Sequence, residues 1–349
     1  MAFYSSMSQF LFPLIWCSIL ICLSSGFPTS ESSVSPSKAE QDFDMFQQWM
    51  VEHGRVYQDS EESKTRFQIL QRNLKYITVT NPKRSNSSGA YRLGLNKFAD
   101  MSPEEFKRVY LHPLEVPTTI APGTSRSGHT QQNNSCENAP SSMDWRQKRV
   151  VTPVKNQKKC GSCWAFAAIE SVNAIRTGEL VRLSEQELVD CDLTDHDCSG
   201  GLPVKAFKWV VQNGGLSKED DYPYVREKGY CKAEKQSVVK INGYEGVEQT
   251  DDALLCAIAN HPITVGLDAT PLRFYQGGII DGENCPMGTQ PNHAVLIVGY
   301  DSKDGKDYWI VKNSWGEDWG MNGYFMIQRN SNAPNGVCSI NTAASYPTI

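Results

Sequence analysis

The sequence of 349 residues predicts an α+β protein with two lobes. From about Asn138 the patterns are helical, and after Asn242 they change to short apolar strands, an order that is typical of the α+β class. A helical segment without cysteines precedes both parts. We therefore expect a separate N-terminal domain followed by a domain of two lobes.

The composition excludes several kinds of partner. Hydrophobic residues make up 40% and charged residues 21% of the chain, as in soluble globular proteins. The net charge is only -5 and the basic residues are scattered, so we predict no nucleic-acid partner. After residue 26 no apolar stretch is long enough to cross a bilayer, and we expect no association with a membrane.

The first 26 residues differ from the rest of the chain. An apolar run from Phe10 to Leu23 is interrupted only by Pro13 and Ser18, and small residues follow it. Such a run is too short for a comfortable membrane span and is typical of a secretory signal peptide. The alternative, a buried core helix, is disfavoured by the polar residues 29–40. We predict a signal peptide at 1–26 and entry into the secretory pathway.

The N-terminal domain is predicted to be helical. One helix face repeats in steps of three and four residues, through Glu62, Arg66, Ile69, Leu70, Asn73, Ile77 and Asn81. Pro82 is predicted to end this helix. A second helix is expected to begin at Ser102-Pro103, because Pro is favoured in the first turn. Residues 121–135 are small or polar and predict an exposed, cleavable linker.

The two-lobe domain contains clear helix and strand patterns. We predict a helix from Ser162 to about Thr177 and another from Ser184 to Asp190, which a capping box begins. Strands are predicted at Ile263 to Leu267, Ala294 to Tyr300, Tyr308 to Lys312 and Tyr324 to Gln328. Asn86 and Asn133 lie in Asn-x-Ser sequons, which predict glycosylation in an exported chain.

The eleven cysteines are unevenly placed. Cys17 and Cys22 lie in the predicted signal peptide, and the other nine lie at or after Cys136. In an exported chain this distribution predicts that the C-terminal domain is cross-linked by disulfides. Because nine is odd, at least one thiol is free or pairs outside the molecule, and a catalytic cysteine requires a free thiol.

Cys163 is the candidate nucleophile. It lies where the loop 157–162 becomes a helix, and the unpaired N–H groups of a helix N-terminus stabilise a thiolate. A disulfide cysteine can occupy the same position, but the neighbouring glycine and small residues favour an exposed thiol.

A thiolate needs a partner that holds and donates a proton near neutral pH, which indicates histidine. His196 lies in an acidic loop and His261 precedes a proline, whereas His293 begins an apolar strand that would fix its position. Asn313, at the end of the next strand, can accept a hydrogen bond from the imidazole. Trp315 beside it can exclude water from that bond.

Together these residues resemble the papain family of cysteine peptidases, of the papain and cathepsin L type, and are similar to plant preproenzymes. The segment Cys160-Gly161-Ser162-Cys163-Trp164 matches the family motif, and His293 and Asn313 follow Cys163 by 130 and 150 residues. Two propeptide motifs are also similar: the helix face from Glu62 to Asn81, with Leu70 where Phe is usual, and the set Gly94, Asn96, Phe98 and Asp100.

The resemblance implies a papain-like fold with a helical lobe, a β-barrel-like lobe and an active-site cleft between them, preceded by a helical inhibitory prodomain. It implies a signal peptide at 1–26, an inhibitory propeptide at 27–137 and a peptidase domain at 138–349. It further implies a cysteine endopeptidase made as a zymogen, which cleaves peptide bonds through a Cys163–His293 thiolate–imidazolium pair. No metal or other cofactor is expected.

The resemblance also implies roles for further residues. Asn313 would orient His293, and the Gln157 side chain with the backbone N–H of Cys163 would hold the oxyanion. The implied substrate-binding residues are small or apolar: Gly201, Leu202, Pro203, Gly266, Ala294 and Ala343. Because no acid is among them, we expect a preference for an apolar residue two positions before the cut.

The disulfides that the resemblance implies are Cys160–Cys198, Cys191–Cys231 and Cys285–Cys338, whereas Cys136 and Cys256 either pair with each other or stay free. The implied partners are protein or peptide substrates, the chain's own propeptide and cystatin-type inhibitors. A monomer is expected in the extracellular space, the vacuole or the lysosome.

Three alternatives belong to other classes. A catalytically dead relative that acts as a binding protein would lack Cys163, His293 or Asn313, and all are present. A transpeptidase or peptide ligase on the same fold would share every residue named and differ in the access of water. A structural, disulfide-rich extracellular protein is disfavoured by the unpaired Cys163.

Overall fold

The computed structural model describes residues 37–84, 91–116, 136, 139–168, 180–232, 236–285 and 289–348. The predicted signal peptide, the predicted linker and both sequons, Asn86 and Asn133, lie outside the described residues. So does the part of the helix predicted from Ser162 to Thr177 that follows residue 168.

Helices dominate the first part of the described chain and strands the second, as predicted. The helices are α1 (Lys38–Glu52), α2 (Ser60–Arg84), α3 (Pro103–Tyr110), α4 (Cys163–Phe166), α5 (Glu185–Cys191), α6 (Pro203–Asn213) and α7 (Asp251–Ile258). The strands are β1 (Arg92–Leu93), β2 (Met143–Asp144), β3 (Gly243–Gly246), β4 (Ile263–Leu267), β5 (Tyr275–Gly277), β6 (Ile279–Ile280), β7 (His293–Lys303), β8 (Lys306–Lys312), β9 (Tyr324–Gln328) and β10 (Thr342–Thr348). The predicted bounds of β4 and β9 are confirmed, and β7 and β8 are a few residues longer than predicted.

The N-terminal domain is built from three capped helices. Ser37 begins α1 and Ser102 begins α3, each through a capping box in which the serine hydroxyl and a glutamate satisfy each other's backbone N–H groups. The buried faces of α1 and α2 meet in a small apolar cluster around Phe46, Trp49 and Leu70. Burial of these side chains holds the two helices together.

The prediction that Pro82 ends α2 is wrong, because the helix continues to Arg84 with Pro82 inside it. A proline lacks only its own N–H, so near the end of a helix it removes a single hydrogen bond. The last turns also have another anchor: the Asn81 side chain donates to the Leu93 carbonyl at 2.8 Å and accepts from the Leu93 N–H at 2.9 Å.

The remaining chain forms two lobes. Helices α4, α5 and α6 surround one apolar cluster, which includes Trp164, Leu188 and Phe207. The other lobe is an eight-stranded sheet in the order β3-β10-β4-β7-β8-β9-β6, with β2 paired to β7. Its pairs are antiparallel except for β6 and β9. The start of β7 and the N-terminus of α4 meet at the boundary of the two lobes, where the Ala294 N–H donates to Cys163 Sγ.

Three disulfides cross-link the two lobes internally: Cys160–Cys198, Cys191–Cys231 and Cys285–Cys338. A fourth, Cys136–Cys256, joins the segment before residue 139 to the strand lobe. A disulfide of this kind typically stabilises a fold by about 2–4 kcal/mol. The bridge from Cys136 reaches α7, which contains Cys256. Among the described residues Cys163 is the free cysteine.

Candidate active site

Cys163 is the first residue of α4, and its thiol faces the start of β7. The backbone N–H of Ala294 donates to its Sγ atom at 3.4 Å. Ala294 follows His293 directly in β7, so the thiol and the imidazole are brought together at the junction of the two lobes. Burial raises the pKa of the thiol, and the N–H groups of Ala294, Trp164 and Cys163 oppose this rise without overcoming it.

The imidazole of His293 is held by a fixed amide. Its Nε2 atom lies 2.8 Å from Asn313 Oδ1, which also accepts from the Ser314 N–H at 2.8 Å. The Trp315 ring lies 4.8 Å from the imidazole ring and is fully buried. Because Nε2 is taken by Asn313, Nδ1 is the ring atom left for chemistry, and within the described residues it has no hydrogen-bond partner.

Gln157 links the loop before α4 to the strand lobe. Its Nε2 donates to the Cys160 carbonyl at 3.0 Å, and its Oε1 accepts from the Ser314 hydroxyl at 2.6 Å. Gln157 is completely buried, so its amide group has a fixed orientation next to α4. A group fixed in this way needs little reorganisation when an oxyanion forms near it.

The expectation of an exposed thiol is wrong for this form of the chain, since Cys163 and His293 are both fully buried. Burial removes hydration from charged forms, and it raises the pKa of Cys163 to about 11 and lowers the pKa of His293 to about 4. Burial therefore opposes charge on both the thiol and the imidazole in this form of the chain.

The cover comes from the N-terminal domain, whose residues 111–116 run through the cleft. His112 N–H donates to the Asn292 carbonyl at 2.8 Å, and Leu114 N–H donates to the Pro291 carbonyl at 2.8 Å. The His112 ring fills the space in front of Gly161, where any Cβ would overlap it. The described chain thus blocks its own cleft.

Leu114 occupies the apolar pocket to which the resemblance points. It is 1% exposed and belongs to the same buried cluster as Leu202 and Ala294. A Cβ at Gly266 would lie 2.9 Å from Leu114 Cδ1 and 3.5 Å from Ala343 Cβ, so Gly266 leaves room for this side chain. Gly266 and Ala294 face each other across β4 and β7. Pro203 is buried at the start of α6, and Gly201 precedes it in the loop.

Sequence reasoning missed the residues that dock the N-terminal domain on the strand lobe. Lys97 Nζ donates to the Trp315 carbonyl and to Asp318 Oδ1, the latter at 2.6 Å. The guanidinium of Arg273 donates to Asn73 Oδ1 and to the Met101 carbonyl, both at 3.1 Å. The partners are about 200 residues apart along the chain, and no local pattern relates them; Asn73 alone was marked by its place on the predicted helix face.

Asp100, a residue of the second propeptide motif, binds only within the N-terminal domain as far as the described residues show. Arg55 Nε lies 3.5 Å from its Oδ2 atom, and the Tyr57 hydroxyl donates to the same atom at 3.1 Å. Arg66 donates to its backbone carbonyl at 3.1 Å and, at 2.9 Å, to both oxygens of Glu105. These ion pairs connect α2, the motif and α3.

A thiol at a helix N-terminus, an imidazole oriented by an amide, and a cleft blocked by the chain itself define a thiol peptidase in its precursor form. Profiles of two families match the chain: Papain family cysteine protease at residues 139–348 and Cathepsin propeptide inhibitor domain at residues 46–106. The chain therefore belongs to the papain family of cysteine proteases. It is a cysteine endopeptidase with an inhibitory propeptide domain, as a zymogen has.

Relatives and solved structures agree with this assignment. A probable thiol protease of Glycine max is 46% identical over 345 residues, which cover 92% of this chain and 90% of the relative. Cysteine protease XCP2 of Arabidopsis thaliana is 45% identical over 315 residues, 87% of this chain and 86% of the relative. The structure of recombinant stem bromelain precursor superposes with a TM-score of 0.79 at 38% identity, over 88% of this chain and 99% of the other.

Within the described part of the chain, no three His, Cys, Asp or Glu side chains converge as metal ligands would. A search of the same residues finds no helix with the length and apolarity of a membrane span.

Proposed function

We propose that this zymogen consists of a signal peptide at 1–26, an inhibitory propeptide at 27–137 and a peptidase domain at 138–349. Cys163 is its nucleophile and His293 its general base, with Asn313 orienting the base and Gln157 helping to hold the oxyanion. The observation that carries this proposal is the 2.8 Å hydrogen bond from His293 Nε2 to Asn313, which leaves Nδ1 unbonded, while the next residue, Ala294, donates its N–H to the Cys163 thiol.

Catalysis begins when the propeptide leaves the cleft. Access of water then favours the charged forms, and His293 takes the proton of Cys163. The thiolate attacks the peptide carbonyl, while the Gln157 amide and the Cys163 N–H stabilise the oxyanion, at about 3–4 kcal/mol for each donor. His293 protonates the leaving amine, and water hydrolyses the thioester.

A pair of variants tests the catalytic roles. Cys163→Ala and His293→Ala should each abolish hydrolysis of a fluorogenic peptide by acid-treated precursor, with the disulfides intact. His196→Ala is the matched control, because His196 is exposed in a loop outside the site and should leave the rate unchanged. Substantial turnover by purified Cys163→Ala would end this assignment. Mass spectrometry of the products separates hydrolysis from peptide ligation, the alternative on the same fold.

The preference for an apolar residue two positions before the cut is supported by Leu114, the chain's own occupant of the pocket. The pocket is formed by Gly201, Leu202, Pro203, Gly266, Ala294 and Ala343. An arginine there would be buried without a countercharge, which is costly. Libraries of peptides should therefore show Leu or Phe well above Arg at this position.

Ala343 offers a sharper test of the same pocket. Its φ is 53°, a conformation that Asp and Asn tolerate better than most residues. Ala343→Asp should raise the relative rate for Arg substrates, whereas the uncharged Ala343→Asn should not. Equal selectivity of the two variants would contradict the assignment of Ala343 to the pocket.

We also propose that the chain enters the secretory pathway and acts outside the cell, in the vacuole or in the lysosome. The apolar N-terminus and the disulfides support this, and one relative, from Arabidopsis thaliana, is named a KDEL-tailed cysteine endopeptidase. Asn86 and Asn133 are then glycosylated, and the enzyme is a monomer that cystatin-type inhibitors block. Deglycosylation, gel filtration and inhibitor titration of the secreted protein test these points separately.

A further inference from the structure

Two buried carboxyl groups lie behind the wall of the cleft. Asp192 is 1% and Asp195 5% exposed, and both belong to the loop between α5 and α6. Asp192 Oδ1 accepts from the Thr194 N–H and hydroxyl, at 2.8 and 2.7 Å. Asp195 Oδ1 accepts from the Leu202 N–H at 2.9 Å. The Oδ2 atom of each is buried and receives no hydrogen bond from an N–H group or a hydroxyl of the described residues.

Two carboxylates in such a place cannot both stay ionised at low cost. Lys205 faces them, with Nζ 3.8 Å from Asp195 Oδ1, and compensates one negative charge. Asp197, in the same loop, pairs with Lys228 instead, and His196 is exposed. Burial, together with repulsion and a hydrogen bond from Asp192, raises the pKa of Asp195 to about 7. Asp195 therefore holds a proton in acid.

The Asp195 carboxyl is also the support of the cleft wall. Its bond to the Leu202 N–H fixes the residue that begins α6. A Cβ at Gly201 would lie only 2.8 Å from Asp195 Cγ and from Trp164 Cδ2, so the Gly201 backbone rests directly on these two side chains. A shift of the carboxyl must move Gly201 and Leu202 with it.

We infer that Asp195 is a positioning residue of this peptidase, whose buried carboxyl group keeps Gly201 and Leu202 in the conformation that binds substrate. The inference rests on the proposed assignment of these two residues to the substrate cleft. Loss of the proton places two negative charges side by side in a buried loop, and their repulsion displaces the wall. Substrate binding then weakens, while the thiol and the imidazole are untouched.

The direction of the pH dependence follows from the sign of the shift. A carboxyl whose pKa is raised by folding stabilises the folded loop most at low pH, and this contribution is lost as pH rises through about 7. KM for a peptide should therefore rise by about tenfold between pH 6 and pH 8, in inverse proportion to the protonated fraction of Asp195. The value of kcat should not change with the protonation of Asp195, because Asp195 touches no reacting atom.

The test compares three enzymes matured from the full-length precursor at acid pH: wild type, Asp195→Asn and Asp197→Asn. The amide that Asp195→Asn introduces can donate to Asp192 and accept from Leu202 at any pH, so KM of this variant should stay low up to pH 8. Asp197→Asn also removes a carboxylate from this loop, and it should show the same rise in KM between pH 6 and pH 8 as the wild type. kcat and KM are measured separately on a fluorogenic peptide across this range.

The outcomes are distinct. A KM step of equal size in wild type and Asp195→Asn, or a step confined to kcat, overturns the inference and leaves the proposed function standing. A wild type without hydrolysis contradicts the proposed function instead. If Asp195→Asn does not fold, infrared spectroscopy of the wild type decides: a protonated buried carboxyl at pH 6 that is lost by pH 8 supports the inference, and its absence at pH 6 overturns it.

Discussion

The ammonium group of Lys97, in the N-terminal domain, lies 2.6 Å from Asp318 Oδ1 in the strand lobe. The same nitrogen donates to the backbone carbonyl of Trp315, the residue whose ring lies against His293. Most of the Lys97 side chain is buried, and burial lowers its pKa, whereas Asp318 is half-exposed. One cation thus joins the inhibitory domain to the loop whose Trp315 ring packs against His293.

Replacing this cation should loosen the propeptide. We expect Lys97→Met precursor to mature several-fold faster than wild type at pH 5, because a charge-assisted bond between the domains is lost. The control is Arg182→Gln, which breaks the exposed Arg182–Asp220 pair outside the interface and should leave the rate unchanged. Lys97→Met and Asp318→Asn should be less than additive when combined. Wild-type kinetics in Lys97→Met would show that the pair does not hold the domains.

His112 should make release of the propeptide sensitive to acid. Burial in the cleft lowers its pKa, and the titratable group that it faces is His293. A buried neutral histidine stabilises the closed precursor above its ordinary pKa of 6.5, and that contribution is lost as pH falls below this value. We expect His112→Gln to slow maturation at pH 5 by up to about 30-fold and to change little at pH 7.

The control for this variant is His196→Gln, since His196 lies in an exposed loop and its side chain does not enter the cleft. Maturation rates are compared from pH 4.5 to pH 7.5 by gel electrophoresis. An unchanged pH profile for His112→Gln would mean that another group responds to acid.

The ion pair of Arg66 and Glu105 should stabilise the N-terminal domain in a different pH range. Burial raises the pKa of Glu105, but the Ser102 N–H and the Arg66 guanidinium outweigh it and hold the pKa below the usual 4.5. The stability that it adds is therefore present above pH 4.5 and is lost as pH falls through the lowered value. In a Cys163→Ala background, Glu105→Gln should lower the melting temperature at pH 6 by about 2 °C.

This difference should shrink below pH 4, where the wild type loses the same contact. Glu62→Gln serves as the comparison, because Glu62 meets Arg66 only at 3.9 Å and is more exposed. A larger effect of Glu62→Gln than of Glu105→Gln would contradict the assignment.

Asn313→Ala should weaken the peptidase without abolishing it. The variant removes the acceptor that fixes His293 Nε2 but leaves the thiol and the imidazole in place. Loss of orientation of a reacting group typically costs about 100-fold, and we expect a fall in kcat of that order. Activity as low as that of Cys163→Ala, in a variant with unchanged melting temperature, would require a direct chemical role for Asn313.

Local signals in the sequence were sufficient for much of the fold. Ser102 and Ser184 begin helices as their caps predict, and the apolar strands β4 and β9 have the predicted bounds. Pro82 does not end α2 as predicted. The last turns of this helix are anchored by hydrogen bonds between the Asn81 side chain and Leu93, a residue beyond the helix. Propensity alone contains no information on such an anchor.

The burial of the site could not be read from the residues around Cys163. They are small, as an open active site requires, and the cover is supplied by residues 111–116 of another domain. This segment is extended and is held by hydrogen bonds of its backbone. Its apolar residues therefore do not repeat with the spacing of a helix or of a strand, and the sequence does not reveal its position. The acidic loop around His196 was expected to be solvated, but Asp195 is buried in it. Its contacts with Gly201 and Leu202 form only when the loop folds back, and the composition of the loop does not indicate them.

The bridge between Cys136 and Cys256 decides what a cut can release. Cys136 lies one residue before the proposed end of the propeptide at 137, whereas Cys256 belongs to α7 of the peptidase domain. A cut after residue 137 breaks the polypeptide and still leaves inhibitor and enzyme as one covalent molecule. Such a covalent tether keeps the inhibitor close to the cleft, so it can rebind there at a high effective concentration. A cut before Cys136 leaves the inhibitor without this covalent tether. The position of the cut therefore determines whether activation needs a reductant, to break the disulfide, as well as acid.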